Sequence, residues 1–124
     1  MRYAFAILTL LALTGCSDSV TTRFATLEDA KVQRAFERAW LPPVLPDSAK
    51  SIIESNNLDL NTGKGSFQYD FSERASYLER LKQSGAVYRA GQHADILTLT
   101  TNGSRWEIEL TRSAGRAQWK TRPL

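Results

Sequence analysis

The chain has 124 residues, 42% of them hydrophobic and 23% charged, with sixteen Lys and Arg against thirteen Asp and Glu for a net charge of +3. This is the composition of an ordinary globular protein with room for one domain and one core, and it excludes collagen-like, repetitive and disordered chains. The charge is too even to argue for a nucleic-acid partner, and one cysteine and one histidine allow no internal disulfide and make a poor metal set.

The first fifteen residues differ from the rest. Arg2 supplies a positive start, and residues 4–13 form an apolar run broken only by Thr9. A membrane-spanning helix needs about 20 apolar residues, so this run is too short. A basic start, a short apolar run and then small residues are the pattern of a secretory signal. The run ends in Leu13-Thr14-Gly15-Cys16, which resembles the lipobox of bacterial lipoproteins. The resemblance implies a diacylglyceryl group on the Cys16 thiol and cleavage just before it. The residue types suit that chemistry: Leu13 fits an apolar pocket, Gly15 leaves room at the scissile bond and Cys16 is a soft nucleophile. The expected organisation is a signal peptide over residues 1–15, a lipidated cysteine and tether over 16–25, and one domain over 26–124. Two acyl chains, at about 0.8 kcal/mol per buried methylene, anchor stably. Ser17, where lipoproteins kept at the inner membrane resemble one another in having aspartate, points to the periplasmic face of an outer membrane.

Residues 17–23 read as a flexible tether with a reach of roughly 15 Å. Thr26 is placed as an N-cap, with Asp29 three residues on. Val32, Ala35, Phe36, Ala39 and Trp40 recur at helical spacing, which predicts a helix over residues 27–39 stopped by Pro42 and Pro43. Residues 41–46 read as an extended proline segment and 47–50 as a turn. A strand follows over 51–58, then a turn marked by Asn61, Gly63 and Gly65. Phe67, Tyr69 and Phe71 alternate with polar residues, as in a half-buried strand. Ser72 is expected to cap a second helix over 73–84, with Ala75, Leu78 and Leu81 on its apolar face and Gly85 as its stop.

The remainder reads as a meander. Residues 86–90 form a strand, and strands over 95–101 and 105–111 flank Asn102-Gly103, a strong two-residue hairpin signal. That loop length places Thr101 opposite Ser104, Leu99 opposite Trp106 and Leu97 opposite Ile108. Ala117 and Trp119 mark a last strand after a turn at Gly115. The predicted fold class is α+β: two helices packed on an antiparallel β-sheet, in the order helix, hairpin, helix, β-meander.

Trp40-Leu41-Pro42, Leu45-Pro46, Ser48-Ala49, Ile52 and Asn57-Leu58-Asp59-Leu60-Asn61 make a distinctive string. It resembles small bacterial lipoproteins of the YbbD-type head domain. The likeness begins at Leu27-Glu28-Asp29-Ala30, includes Phe36-Glu37-Arg38 and resumes at Trp106 and from Gly115 to Trp119. It implies a shared fold and a lipoprotein habit, and no activity.

Other groupings are weak. Asp59-x-Asn61-x-Gly63 resembles the start of a calcium loop, but the fifth, sixth and twelfth positions hold Gly63, Lys64 and Asp70 instead of an oxygen ligand, glycine and glutamate. Gly63-Lys64-Gly65-Ser66 lacks the first glycine of a phosphate loop and splits its Lys from its Ser. His93, with Asp95 near it and Ser84 or Ser104 conceivable as nucleophile, reads as a solvated turn residue. Asp59 and Asp70 read as a turn and a solvated face rather than paired carboxylates. Trp40, Trp106 and Trp119 fall at core phase. Arg116, Lys120 and Arg122 share one face of the last strand, where they protect an edge, pair with Glu107 and Glu109, or meet anionic headgroups.

The expected function is therefore that of a non-enzymatic envelope lipoprotein, held on the membrane by lipid on Cys16 and binding an envelope protein, with no cofactor, metal or nucleic acid. The alternative is a lipid-anchored inhibitor or immunity-type protein against an enzyme or toxin. Labelled palmitate is expected to enter the wild-type protein and not Cys16→Ser, which should accumulate as precursor; equal labelling of both would refute the lipobox reading.

Overall fold

The computed structural model describes residues 19–124, so the expected signal peptide, the expected recognition residues Leu13, Thr14 and Gly15, and the expected lipidation site Cys16 lie outside the described residues. Seven strands form one antiparallel sheet: β1 (Ser19–Thr26), β2 (Lys50–Asn57), β3 (Thr62–Gln68), β4 (Val87–Ala90), β5 (Ala94–Thr101), β6 (Ser104–Thr111) and β7 (Arg116–Pro123). Their spatial order is β1-β2-β3-β7-β6-β5-β4. Two meanders, β1-β2-β3 and β4-β5-β6-β7, thus meet along one β3–β7 pairing. Among the described residues there are only two short helices, α1 (Leu27–Val32) and α2 (Arg74–Gln83), with a single 3₁₀ turn at Phe71–Glu73.

The fold is mostly β, which corrects the expected α+β arrangement of two helices on a sheet. Two departures account for it. The expected tether is largely strand: β1 pairs with β2 along its length, from Ser19 opposite Asn57 to Thr26 opposite Lys50. β-Branched Val20, Thr21, Thr22 and Thr26 with the buried Phe24 suit a pleated edge, but a polar stretch of that kind is indistinguishable from linker before its partner is known. The first helix also ends seven residues early. Thr26 caps it as expected, its Oγ1 accepting from the Asp29 amide at 3.2 Å. Arg34 then takes a left-handed conformation (φ 58°), its amide donating to the Lys31 carbonyl while the Ala35 amide reaches the Ala30 carbonyl. That is a Schellman stop. Ala39 (φ 57°) repeats it five residues on, with Ala39 bonded to Phe36 and Trp40 to Ala35. Two tight turns tuck Ala30 and Ala35 into the core and leave Val32 and Ala39 exposed.

Residues 41–46 run extended as expected and are largely buried, with Leu41 and Leu45 in the core. They support α2, whose Tyr77 hydroxyl donates to the Val44 carbonyl at 2.8 Å and whose Arg80 donates to that of Leu45. The α2 face is Tyr77 and Leu81, with Leu78 half-buried; Ala75 is exposed and Ser72 makes no cap. Gly85 (φ 98°) ends the helix as expected. Phe71 is not the end of a strand but an exposed residue of the 3₁₀ turn.

The core lies on one face of the sheet, under α1, the proline segment and α2. Phe67, Tyr69, Tyr77 and Trp119 form its aromatic centre, with ring centroids 5.9–6.1 Å apart. The β5–β6 hairpin has the expected register: Thr101–Ser104, Leu99–Trp106 and Leu97–Ile108. Asn102 and Gly103 both have positive φ, as a type I′ turn requires. Asp95 shares the inner face with Leu97 and is buried. It accepts from Arg74, from Arg112 (3.3 Å) and from the Tyr88 hydroxyl (2.7 Å), joining α2 to β4, β5 and the end of β6. These donors hold its carboxyl below the usual aspartate range.

Truncating a buried Trp costs about 3–5 kcal/mol, against a total of roughly 5–15 for a small domain. Trp106→Ala is therefore expected to leave the domain unfolded or close to it in urea titration, whereas Glu107→Ala, on the opposite face, should move stability by less than about 1 kcal/mol. A Trp106→Ala protein with the wild-type midpoint would mean that Trp106 is not a core anchor.

Candidate functional site

Among the described residues, no helix covers the second face of the sheet. Register assigns it Ser55 and Ile53 of β2, Lys64 and Ser66 of β3, Gln118 and Lys120 of β7, and Glu107 and Glu109 of β6. Side chains from all four of these strands line one hollow of about 480 Å³, so the face is concave. It continues into a larger hollow of about 600 Å³ toward Ser19, Arg105 and Arg122. The trough follows β7, the middle strand of the seven.

Charge in the trough is arranged against stability. Lys64 lies directly opposite Lys120, and Arg105 directly opposite Arg122. Like charges facing across strands repel, and a sheet selected for stability alone avoids them. Glu107 faces Lys120, and Glu109 is occupied by the Gln118 amide at 2.8 Å. Among the described residues, no ion pair engages Lys64, Lys120, Arg105 or Arg122. The last strand is central, so its charges do not guard an edge; of the expected pairings, Lys120–Glu107 has the right register and Arg116 falls opposite Gln68.

The remaining candidates are scattered. His93 is exposed in the β4–β5 turn, and Asp95 beside it is saturated by two arginines and a tyrosine. Asp59 precedes β3 and Asp70 follows it, and its seven residues at about 3.3 Å each keep them apart. The Asp59 and Leu60 amides donate to Asn57 Oδ1, the Asx closure of a hairpin turn. No group of three metal-ligating side chains occurs among the described residues. Trp106 and Trp119 are core, and Trp40 is half-buried with the Arg38 guanidinium 4.9 Å above its ring.

A second buried carboxylate, besides Asp95, escaped the sequence reading. Glu54 is 1% exposed on the inner face, in a cross-strand row with Thr22, Gly65 and Trp119. Asn56 donates to its Oε2, and its Oε1 has no hydrogen-bond partner; nor has Trp119 Nε1. The signal was available, since Glu54 is two residues from Ile52 and shares its phase. Burial pushes the Glu54 carboxyl above the usual range, with the Thr22 hydroxyl pulling the other way. A group raised on folding contributes stability in full below its unfolded value and loses it as pH rises through the folded one. Glu54→Gln is accordingly expected to raise the urea midpoint at pH 7, and the advantage should shrink as pH falls toward about 4.3, where glutamate protonates in the unfolded chain. An advantage that does not change with pH would refute the assignment.

No curated protein and no solved structure matches the chain. Residues 18–68 match the family model of the YbbD head domain. That span holds β1, α1, the proline segment, β2 and β3, and stops short of the likeness read at Trp106 and from Gly115 to Trp119. The first meander, with the string from Trp40 to Asn61, is therefore similar to the YbbD head domain.

Proposed function

We propose that the protein is a non-enzymatic lipoprotein of the bacterial envelope, anchored through Cys16 on the periplasmic face of the outer membrane, and that its open sheet face receives an acidic segment of a protein partner. The observation that carries this reading is the open trough in which Lys64 lies directly opposite Lys120 with neither in an ion pair. Carboxylates from a partner would relieve that repulsion, and such complementarity acts mainly through association rate and specificity. The anchor supplies proximity: a membrane-tethered partner is met at high effective concentration, so modest intrinsic affinity suffices. No helix among the described residues is long and apolar enough to cross a membrane.

The test is site-specific photo-crosslinking in intact cells from Gln118, an exposed position in the trough. A discrete adduct is expected, mapping to an acidic stretch of its partner. Lys64→Glu combined with Lys120→Glu should reduce it at least about tenfold, equivalent to 1.4 kcal/mol of binding. An adduct whose enzymatic activity falls on binding would identify the protein as an inhibitor. No adduct, or one indifferent to the double substitution, would show that the trough is not the binding face.

A further inference from the structure

One end of the sheet gathers features that are dispersed elsewhere. Register puts Ser19, Asn57 and Thr62 in one row on one side of the β3–β7 pairing, and Arg122, Arg105 and Thr100 at the same level on the other. Beyond that row lie the β2–β3 loop, the Asn102-Gly103 turn and Leu124, whose amide donates to the Gly103 carbonyl at 3.0 Å. Leu58, Leu60 and Leu124 here are 68%, 65% and 75% exposed, and Val20, one residue along β1, is 51% exposed. The other exposed large hydrophobics are spread over α1 (Val32), the 3₁₀ turn (Phe71) and β4 (Val87, Tyr88). Arg105 and Arg122 border the leucines, with Lys64 two residues further along β3 from Thr62, and Asp59 is the one carboxylate of the loop itself.

We infer that this rim is a membrane-docking surface for anionic phospholipid: Leu58, Leu60 and Leu124 enter the headgroup layer while Arg105 and Arg122 meet lipid phosphates. Apolar side chains bordered by cations are the interfacial pattern, because the first gain from leaving water and the second from the negative surface potential. The leucines stand on separate segments and close no pocket, so a flat lipid surface reaches them together where a knob of protein would not. The chain also enters the fold at this rim, at Ser19, three residues after Cys16. That last point rests on the anchoring reading; the leucines and arginines do not.

Hydrogen exchange of the full chain, free and on vesicles, tests the inference. On vesicles of mixed neutral and anionic phospholipid, exchange is expected to slow several-fold in residues 57–62 and 101–105 and to stay unchanged in residues 46–49 at the far end. Arg105→Glu with Arg122→Glu, and separately Leu58→Ser with Leu60→Ser, should each abolish the slowing while leaving exchange in the β6 core as in the wild type. Unchanged rim exchange on the vesicles overturns the inference, as does equal slowing on neutral vesicles or slowing that survives either pair of substitutions. Slowing by soluble polyglutamate and not by vesicles would overturn it in favour of an acidic protein. The intact mass of the same sample reports lipid on Cys16, so failure of the anchor and failure of the rim are read separately.

Discussion

Everything in this fold depends on the pairing of β3 with β7. Without it there are two ribbons of three and four strands, and the aromatic centre they share is split between them. The seam holds because Gly65 lies opposite Trp119. A β-carbon at Gly65 would collide with the indole ring and with the Ile53 carbonyl, so the ring lies flat across the strand only because that position has no side chain. From there Trp119 touches Phe67, and Phe67 touches Tyr69 and Tyr77. The aromatic centre thus joins both meanders and α2 through one glycine.

The two faces of the sheet follow from what covers them. Two short helices and a buried proline segment cover one face, and the twin left-handed turns at Arg34 and Ala39 fold the connection down onto it. None of the described helices is left to cover the other face, which stays open, concave and charged. Buried polar groups sit on the covered side and differ in kind. Asp95 is fully engaged and ties α2 to the second meander, whereas Glu54 keeps one oxygen unpaired. The first is a structural clamp and the second lowers stability at neutral pH.

The second meander was legible in the sequence because its signals are local. Asn102-Gly103 fixes a turn, the turn fixes a register, and alternation then assigns Leu97, Leu99, Trp106 and Ile108 to one face. The first meander was legible only in β2 and in part in β3. β1 carries too little apolar signal to announce a strand, and its partner lies about thirty residues away. The helix over residues 27–39 was over-read because its early stop uses Arg34 and Ala39, residue types that do not advertise positive φ. The trough could not be read at all. It depends on β7 lying between β3 and β6, a non-local fact, although the charges that line it were visible as a stripe on the last strand. Asp95 and Glu54 could have been found, since each keeps the phase of buried neighbours in its own strand.

The seam also orders events in time. Every other pairing in the sheet except β1–β2 joins consecutive strands through a short connection, whereas β3 and β7 meet across roughly fifty residues. Closing so long a loop is entropically slower than closing a hairpin, so the two ribbons form before they join. Until Trp119 arrives, β3 has an open hydrogen-bonding edge and Phe67 lacks part of its cover. A chain delivered amino end first must carry that unpaired edge until β7 has emerged. The window in which β3 is exposed to aggregation is therefore set by how late β7, with Trp119, follows it in the chain.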